Sequence, residues 1–112
     1  MEMEVPEEAK KMIMEFQNYQ QQLQGILIQK EGLKLQNMEI ERALEELEKS
    51  KQTSAYKITG QIMISKPVKE LKDEMDGLKE TIDLRVKSLE KNEDRISNKL
   101  KDLQEKLKEV IK

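Results

Sequence analysis

The stretch that decides the fold is "AYKITGQIMISKP", residues 55–67 of a 112-residue chain. It alternates apolar and polar residues, turns near a glycine and stops at a proline, the pattern of a β-hairpin. An isolated two-stranded hairpin is marginal in water. This one lies at the midpoint of a sequence that is helical in pattern on both sides.

Upstream, "VPEEAK" opens the first helix. Pro6 is expected at its first position, where a missing N–H costs nothing, and Glu7 and Glu8 suit the positive end of the helix dipole. An apolar stripe then steps alternately by four and three: Met12, Phe16, Tyr19, Leu23, Ile26, Lys30, Leu33, Asn37, Ile40, Leu44 and Leu47. That is a heptad seam, broken at successive a positions by Lys30 and Asn37, where polar residues commonly specify register.

Downstream, the second helix is expected to start at Pro67. Its seam is Val68, Leu71, Met75, Leu78, Ile82, Val86, Leu89, Glu93, Ile96, Leu100, Leu103, Leu107 and Val110. Two steps of four from Leu78 to Ile82 to Val86 make a stutter, which locally unwinds a supercoil. Glu93 is its one polar member, a candidate partner for Lys30 if the register brings them together.

The spacing predicts helices over 6–50 and 67–111, each roughly 65–70 Å long at 1.5 Å per residue, around a hairpin at 54–65. Equal helices flanking a short insert fold back on each other. The expected fold class is therefore mainly α: a long antiparallel two-helix coiled coil with one β-hairpin at its closed end, forming a single domain over 1–112.

Composition agrees with seams rather than a globular core. Only 36% of residues are hydrophobic and 3% aromatic, while 39% are charged, a balance suited to long helices. The 21 basic and 23 acidic residues are interleaved, so neither a nucleic-acid footprint nor a membrane-binding polybasic block is expected. Cys and His are absent, which removes the thiolate nucleophile, the usual proton shuttle and the commonest metal ligands. No glycine loop for phosphate and no GxSxG occurs. No enzymatic activity, cofactor or metal is expected. No apolar run reaches the roughly 18 residues of a membrane span. The acidic opening "MEMEVPEEAK" lacks the basic flank and apolar core of a signal peptide, and the cytoplasm is the expected compartment.

The hairpin is expected to carry Tyr56, Ile58, Ile62 and Ile64 on one face, with Met63 on the other. With two open edges and that much apolar surface, it would join hairpins of other chains until the sheet closed as a barrel. Tyr56, Ile58, Ile62, Met63 and Ile64 are thus candidate oligomerisation residues.

The remaining apolar residues lie off the seam or at the open end. "MIM" (12–14) spreads apolar groups over about 200° of helix, wider than one partner covers, and "ILI" (26–28) repeats this. In the heptad of the first helix the outermost f positions are Met14, Gln21, Ile28, Leu35, Arg42 and Lys49, so three of the four nearest the open end are apolar and the two nearest the hairpin are charged. At the other terminus Val110 and Ile111 are adjacent, so one must face water. Exposed apolar surface on a charged coil suggests binding, and methionine adapts to varied partners. The candidate binding residues are Met12, Ile13, Met14, Phe16, Ile28, Leu35, Leu103, Leu107, Val110 and Ile111. The alternatives are padding of an imperfect coil, or a structural scaffold or tether that captures nothing.

In "FQNYQQQLQ" (16–24), "ALEELEKS" (43–50), "AYKITGQIMIS" (55–65) and "LRVKSLEKNEDRISNKLKDLQEKL" (84–107), and in their order around a single hairpin, the chain resembles prefoldin, specifically the archaeal β-type subunit. The resemblance implies a hexamer of two α-type and four β-type chains, with a hairpin-built body and coiled-coil arms. It also implies ATP-independent capture of unfolded proteins at the arm tips and their delivery to a group II chaperonin.

Overall fold

The computed structural model describes residues 6–111; residues 1–5 and Lys112, which the single-domain expectation includes, lie outside the described residues. The element order is α1 (Glu7–Ser50), β1 (Ser54–Thr59), β2 (Ile62–Pro67) and α2 (Val68–Ile111). Each helix has 44 residues, so the symmetry read from the sequence is present. The chain forms two compact units: one from the segments up to Glu31 and from Lys87 onward, the other from Gly32–Val86.

Local chemistry marks each boundary. Pro6 precedes the helix rather than opening it: its carbonyl accepts the Lys10 N–H at 3.0 Å, with Glu7 and Glu8 in the first turn. At the far end of α1, the Ser50 hydroxyl donates to the Leu47 carbonyl at 3.0 Å, and Lys51 adopts a left-handed φ of 56°. That conformation satisfies the last carbonyls of a helix but is usually given to glycine, since a Cβ is strained there. The second helix begins at Val68, one residue beyond expectation. Pro67 instead ends β2 opposite Ser54, and the Val68 N–H closes the neck of the hairpin on the Thr53 carbonyl at 3.0 Å.

In the first unit the two helical segments bury Ala9, Ile26, Ile96 and Leu103. Met12, Phe16, Tyr19, Leu23, Leu89, Leu100, Leu107 and Val110 are half-buried beside them. Ala9 extends the seam one step before the residues picked out by periodicity. In the second unit Ile40, Val68, Leu71 and Ile82 are buried, with Leu33, Leu44, Leu47, Met75 and Val86 half-buried. A pair of helices has one contact stripe, so nearly every core side chain keeps a solvent edge. Ile96 is the largest side chain to lose essentially all of its exposure.

One seam assignment is overturned. Leu78 is 52% exposed, and the neighbouring Lys79 holds the half-buried position. The contact stripe therefore steps Leu71, Met75, Lys79, Ile82, Val86, and the paired fours fall at 71–75–79 rather than 78–82–86. Lys79 lays its aliphatic stem along the seam and carries its ammonium out to Glu41 at 2.8 Å.

Candidate functional site

The hairpin is built on a two-residue turn, Gly60–Gln61, in which Gly60 has a φ of 60°. Glycine at the first central position of a two-residue loop supports a tight hairpin whose twist matches its strands. The ladder pairs Tyr56 with Ser65, Lys57 with Ile64, Ile58 with Met63 and Thr59 with Ile62. This corrects the expected faces. Paired residues share a face, and a two-residue turn pairs even-numbered positions with odd-numbered ones. Tyr56, Ile58 and Met63 therefore lie together, while Ile62 and Ile64 lie on the opposite face with Ala55, Lys57 and Lys66.

The second face is turned towards the base of the coil. Lys57 and Lys66 both reach Glu74 on α2, at 3.0 and 2.8 Å, one to each carboxylate oxygen. Lys66, with Lys57 behind it, holds the Glu74 carboxyl below the usual carboxylate range; the bond to Glu74 in turn raises the Lys66 ammonium. All five apolar candidates of the hairpin are exposed, from Ile64 at 40% to Ile58 at 72%. Beside β1 an open cleft of about 980 Å³ is floored by Ala43, Leu47, Leu71, Met75 and Leu78. Both faces of the hairpin thus offer apolar surface that this chain leaves uncovered.

Along the helices the candidate binding residues divide. Met14 and Ile28 in the first unit, and Leu35 in the second, are 65%, 66% and 55% exposed, as their f positions require. Of the terminal pair, Ile111 faces water and Val110 is half-buried. Ile13 is only just exposed. Met12, Phe16 and Leu107 are half-buried and Leu103 is buried in the seam, so these four offer a ligand only their solvent edges unless the helices part. Leu27, of the "ILI" stretch, is also exposed, as are Met38 and Leu84, which lie outside the candidate set. Leu84 sits at an f position of the second helix, and reading that helix's outer positions as α1's were read finds it.

Polar residues cross the seam in matched pairs. Lys30 donates to both oxygens of Glu93 at 2.8 and 3.0 Å, with the two side chains 16% and 20% exposed. The hydrogen bond to Glu93 raises the Lys30 ammonium against a smaller opposing effect of desolvation. In the other unit Asn37 donates to Asp83 at 2.7 Å, while its own carbonyl oxygen is buried without a partner. Among the described residues no group of His, Cys, Asp or Glu is arranged to hold a metal, and no helix is long and apolar enough to cross a membrane.

Known proteins place these features in a family. The family described as "Prefoldin subunit" matches residues 10–112. The prefoldin subunit beta of Thermococcus onnurineus is 33% identical over 96% of this chain and 94% of its own length. That of Methanococcoides burtonii is 33% identical over 99% and 96%. The crystal structure of the prefoldin beta subunit from Thermococcus strain KS-1 superposes with a TM-score of 0.85 at 29% identity, covering 95% of this chain and 94% of that one. Two heptad helices of equal length around one hairpin, with relatives matched over nearly their full length, identify this chain as a member of the prefoldin subunit family, similar to its archaeal β type and so of a chaperone family rather than an enzyme family.

Proposed function

We propose that this chain, acting as one domain over 1–112, is the β-type subunit of an ATP-independent cytoplasmic chaperone. Its hairpin residues Tyr56, Ile58, Ile62, Met63 and Ile64 join those of other subunits in a closed sheet, in a hexamer of two α-type and four β-type chains. Its arms capture unfolded proteins and pass them to a group II chaperonin. Client contact rests on Met14, Ile28, Leu35 and Ile111, supplemented by Met12, Ile13, Phe16, Leu103, Leu107 and Val110 where the open end of the coil parts.

The observation that carries this reading is the exposure of Met14, Ile28 and Leu35 on a helix whose inward stripe is already occupied. Apolar groups left outward on a charged coil stabilise the chain little, whereas each contributes roughly 1.5–3 kcal/mol when a partner covers it. Several weak contacts on several arms then combine by avidity.

The test replaces Met14, Ile28 and Leu35 together by Gln, a good helix former. Thermal unfolding and assembly size should stay as in the parent, while suppression of aggregation of an unfolded model protein falls, with and without ATP alike. Equal protection by the variant would leave the scaffold reading in its place.

A further inference from the structure

Only Ala55 and Lys66 of the twelve strand residues are not exposed. The hairpin is therefore barely packed against the helices, and a cleft of about 980 Å³ stays open beside it. Its covalent attachments are short: residues 51–53 on one side, and the direct Pro67–Val68 junction on the other. One backbone hydrogen bond, from Val68 to Thr53, closes the neck. These links leave the tilt of the hairpin on the coil undetermined. Among the described residues, the side-chain hydrogen bonds and ion pairs joining hairpin to helices are three: Lys57 to Glu74, Lys66 to Glu74, and Lys66 to Glu70 at 3.9 Å.

We propose that Glu74 is the positioning residue that sets the tilt of the hairpin on the coil, by accepting one lysine from each strand, and so decides which apolar face is offered to the neighbouring subunit. One carboxylate oxygen goes to β1 and the other to β2, so rocking the hairpin about its neck lengthens at least one of the two bonds. Both lysines share the face of Ile62 and Ile64. Gripping them turns that face towards α2 and leaves Tyr56, Ile58 and Met63 on the opposite face of the hairpin, with Tyr56 at the edge of the cleft. The charged groups around Glu74 are Lys57 from β1, Lys66 from β2, Glu70 one turn earlier on α2 and, lining the same cleft from α1, Glu46. Exposed ion pairs contribute little to stability and are weakened by salt. The latch accordingly orients the hairpin without stabilising the fold much, and fixing the orientation in advance lowers the entropy that assembly must remove. The consequence for assembly rests on the reading that hairpins join subunits; the tilt itself does not.

The chain has no cysteine, so nitroxide labels at Gln61→Cys and Glu80→Cys report the tilt alone. The parent should give one narrow distance distribution at low salt. Glu74→Gln should broaden it with only a small fall in thermal midpoint, and the triple exchange Glu74→Lys, Lys57→Glu, Lys66→Glu should narrow it again. Mixed with an archaeal prefoldin α-type subunit, Glu74→Gln should need about tenfold more protein for half-assembly by light scattering, with recovery in the triple exchange. A Glu74→Gln distribution as narrow as the parent's overturns the latch. Broadening with unchanged assembly overturns its role in presenting the face. A parent that shows the narrow distribution yet never assembles supports the latch and refutes the subunit reading.

Discussion

Lys30 and Glu93 stand where a coiled coil would ordinarily place leucine or isoleucine, and each supplies the other's missing solvation. A lysine side chain only 16% exposed is tolerable because two carboxylate oxygens face its ammonium. Removing one partner should therefore cost more than replacing both by apolar residues, which often leaves stability unchanged or improved. In chemical unfolding, Glu93→Ala should lower stability more than the double change Lys30→Leu, Glu93→Leu; the reverse order would mean the pair is merely superficial. The titrating groups give opposite limbs to the stability profile. Glu74, held below the usual carboxylate range by Lys66 and Lys57, contributes stability above that range and loses it as pH falls through the lowered value. Lys30, raised by Glu93, contributes below the ordinary lysine range and loses it as pH rises through the raised value. Thermal midpoints measured against pH should have a flatter acid limb for Glu74→Gln than for the parent.

Within each element, neighbours that hydropathy treats alike have different roles. Leu78 and Ile82 are both aliphatic, but one is 52% exposed and the other 4%. Ile82→Ala should cost about 2–4 kcal/mol, and Leu78→Ala less than about 1 kcal/mol, as expected away from the core. Equal losses in denaturant titrations would restore Leu78 to the seam. The hairpin makes the same point through its turn. Since Ile58 and Met63 are cross-strand partners, changing both to Asp charges a single face. Burying those charges unpaired costs several kcal/mol, so light scattering should find small species that keep full helicity. Full-size assemblies formed by that variant would exclude the outward face from the subunit contact.

At the scale of the whole chain, two 44-residue helices contribute to both units, and within each unit the segments meet along a narrow apolar stripe. Their stability must vary along their length, because terminal turns lack neighbours on one side while the turns beside the hairpin continue into structure. Amide hydrogen exchange should be fast around Met12 to Phe16 and Leu107 to Ile111, and slow around Ile40 to Leu47 and Leu71 to Met75. Parting of the terminal turns is also what would bring Phe16, Leu103 and Leu107 to a client. Uniform protection along both helices would remove those three from the binding surface.

The heptad stripe was legible in α1 down to the residue: every position from Met12 to Leu47 picked out by spacing is buried or half-buried. The single hairpin and the outward exposure of Met14, Ile28 and Leu35 were equally plain, while both helices start one residue later than their spacing suggests. All of these follow from near neighbours in the chain, through helix period, turn residues and caps. What the sequence left open depends on how distant segments meet. Whether Lys30 reaches Glu93 is a matter of register between residues 63 apart. Lys79 displaces Leu78 from the seam because the phase of the supercoil selects the inward position, and a lysine there can keep its charge in water through Glu41. The faces of the hairpin were decided by the number of residues in its turn, one more or fewer of which would exchange the two sides of a strand. The grip of Lys57 and Lys66 on Glu74 exists only once both strands are folded over α2, since no local preference brings those three charges together.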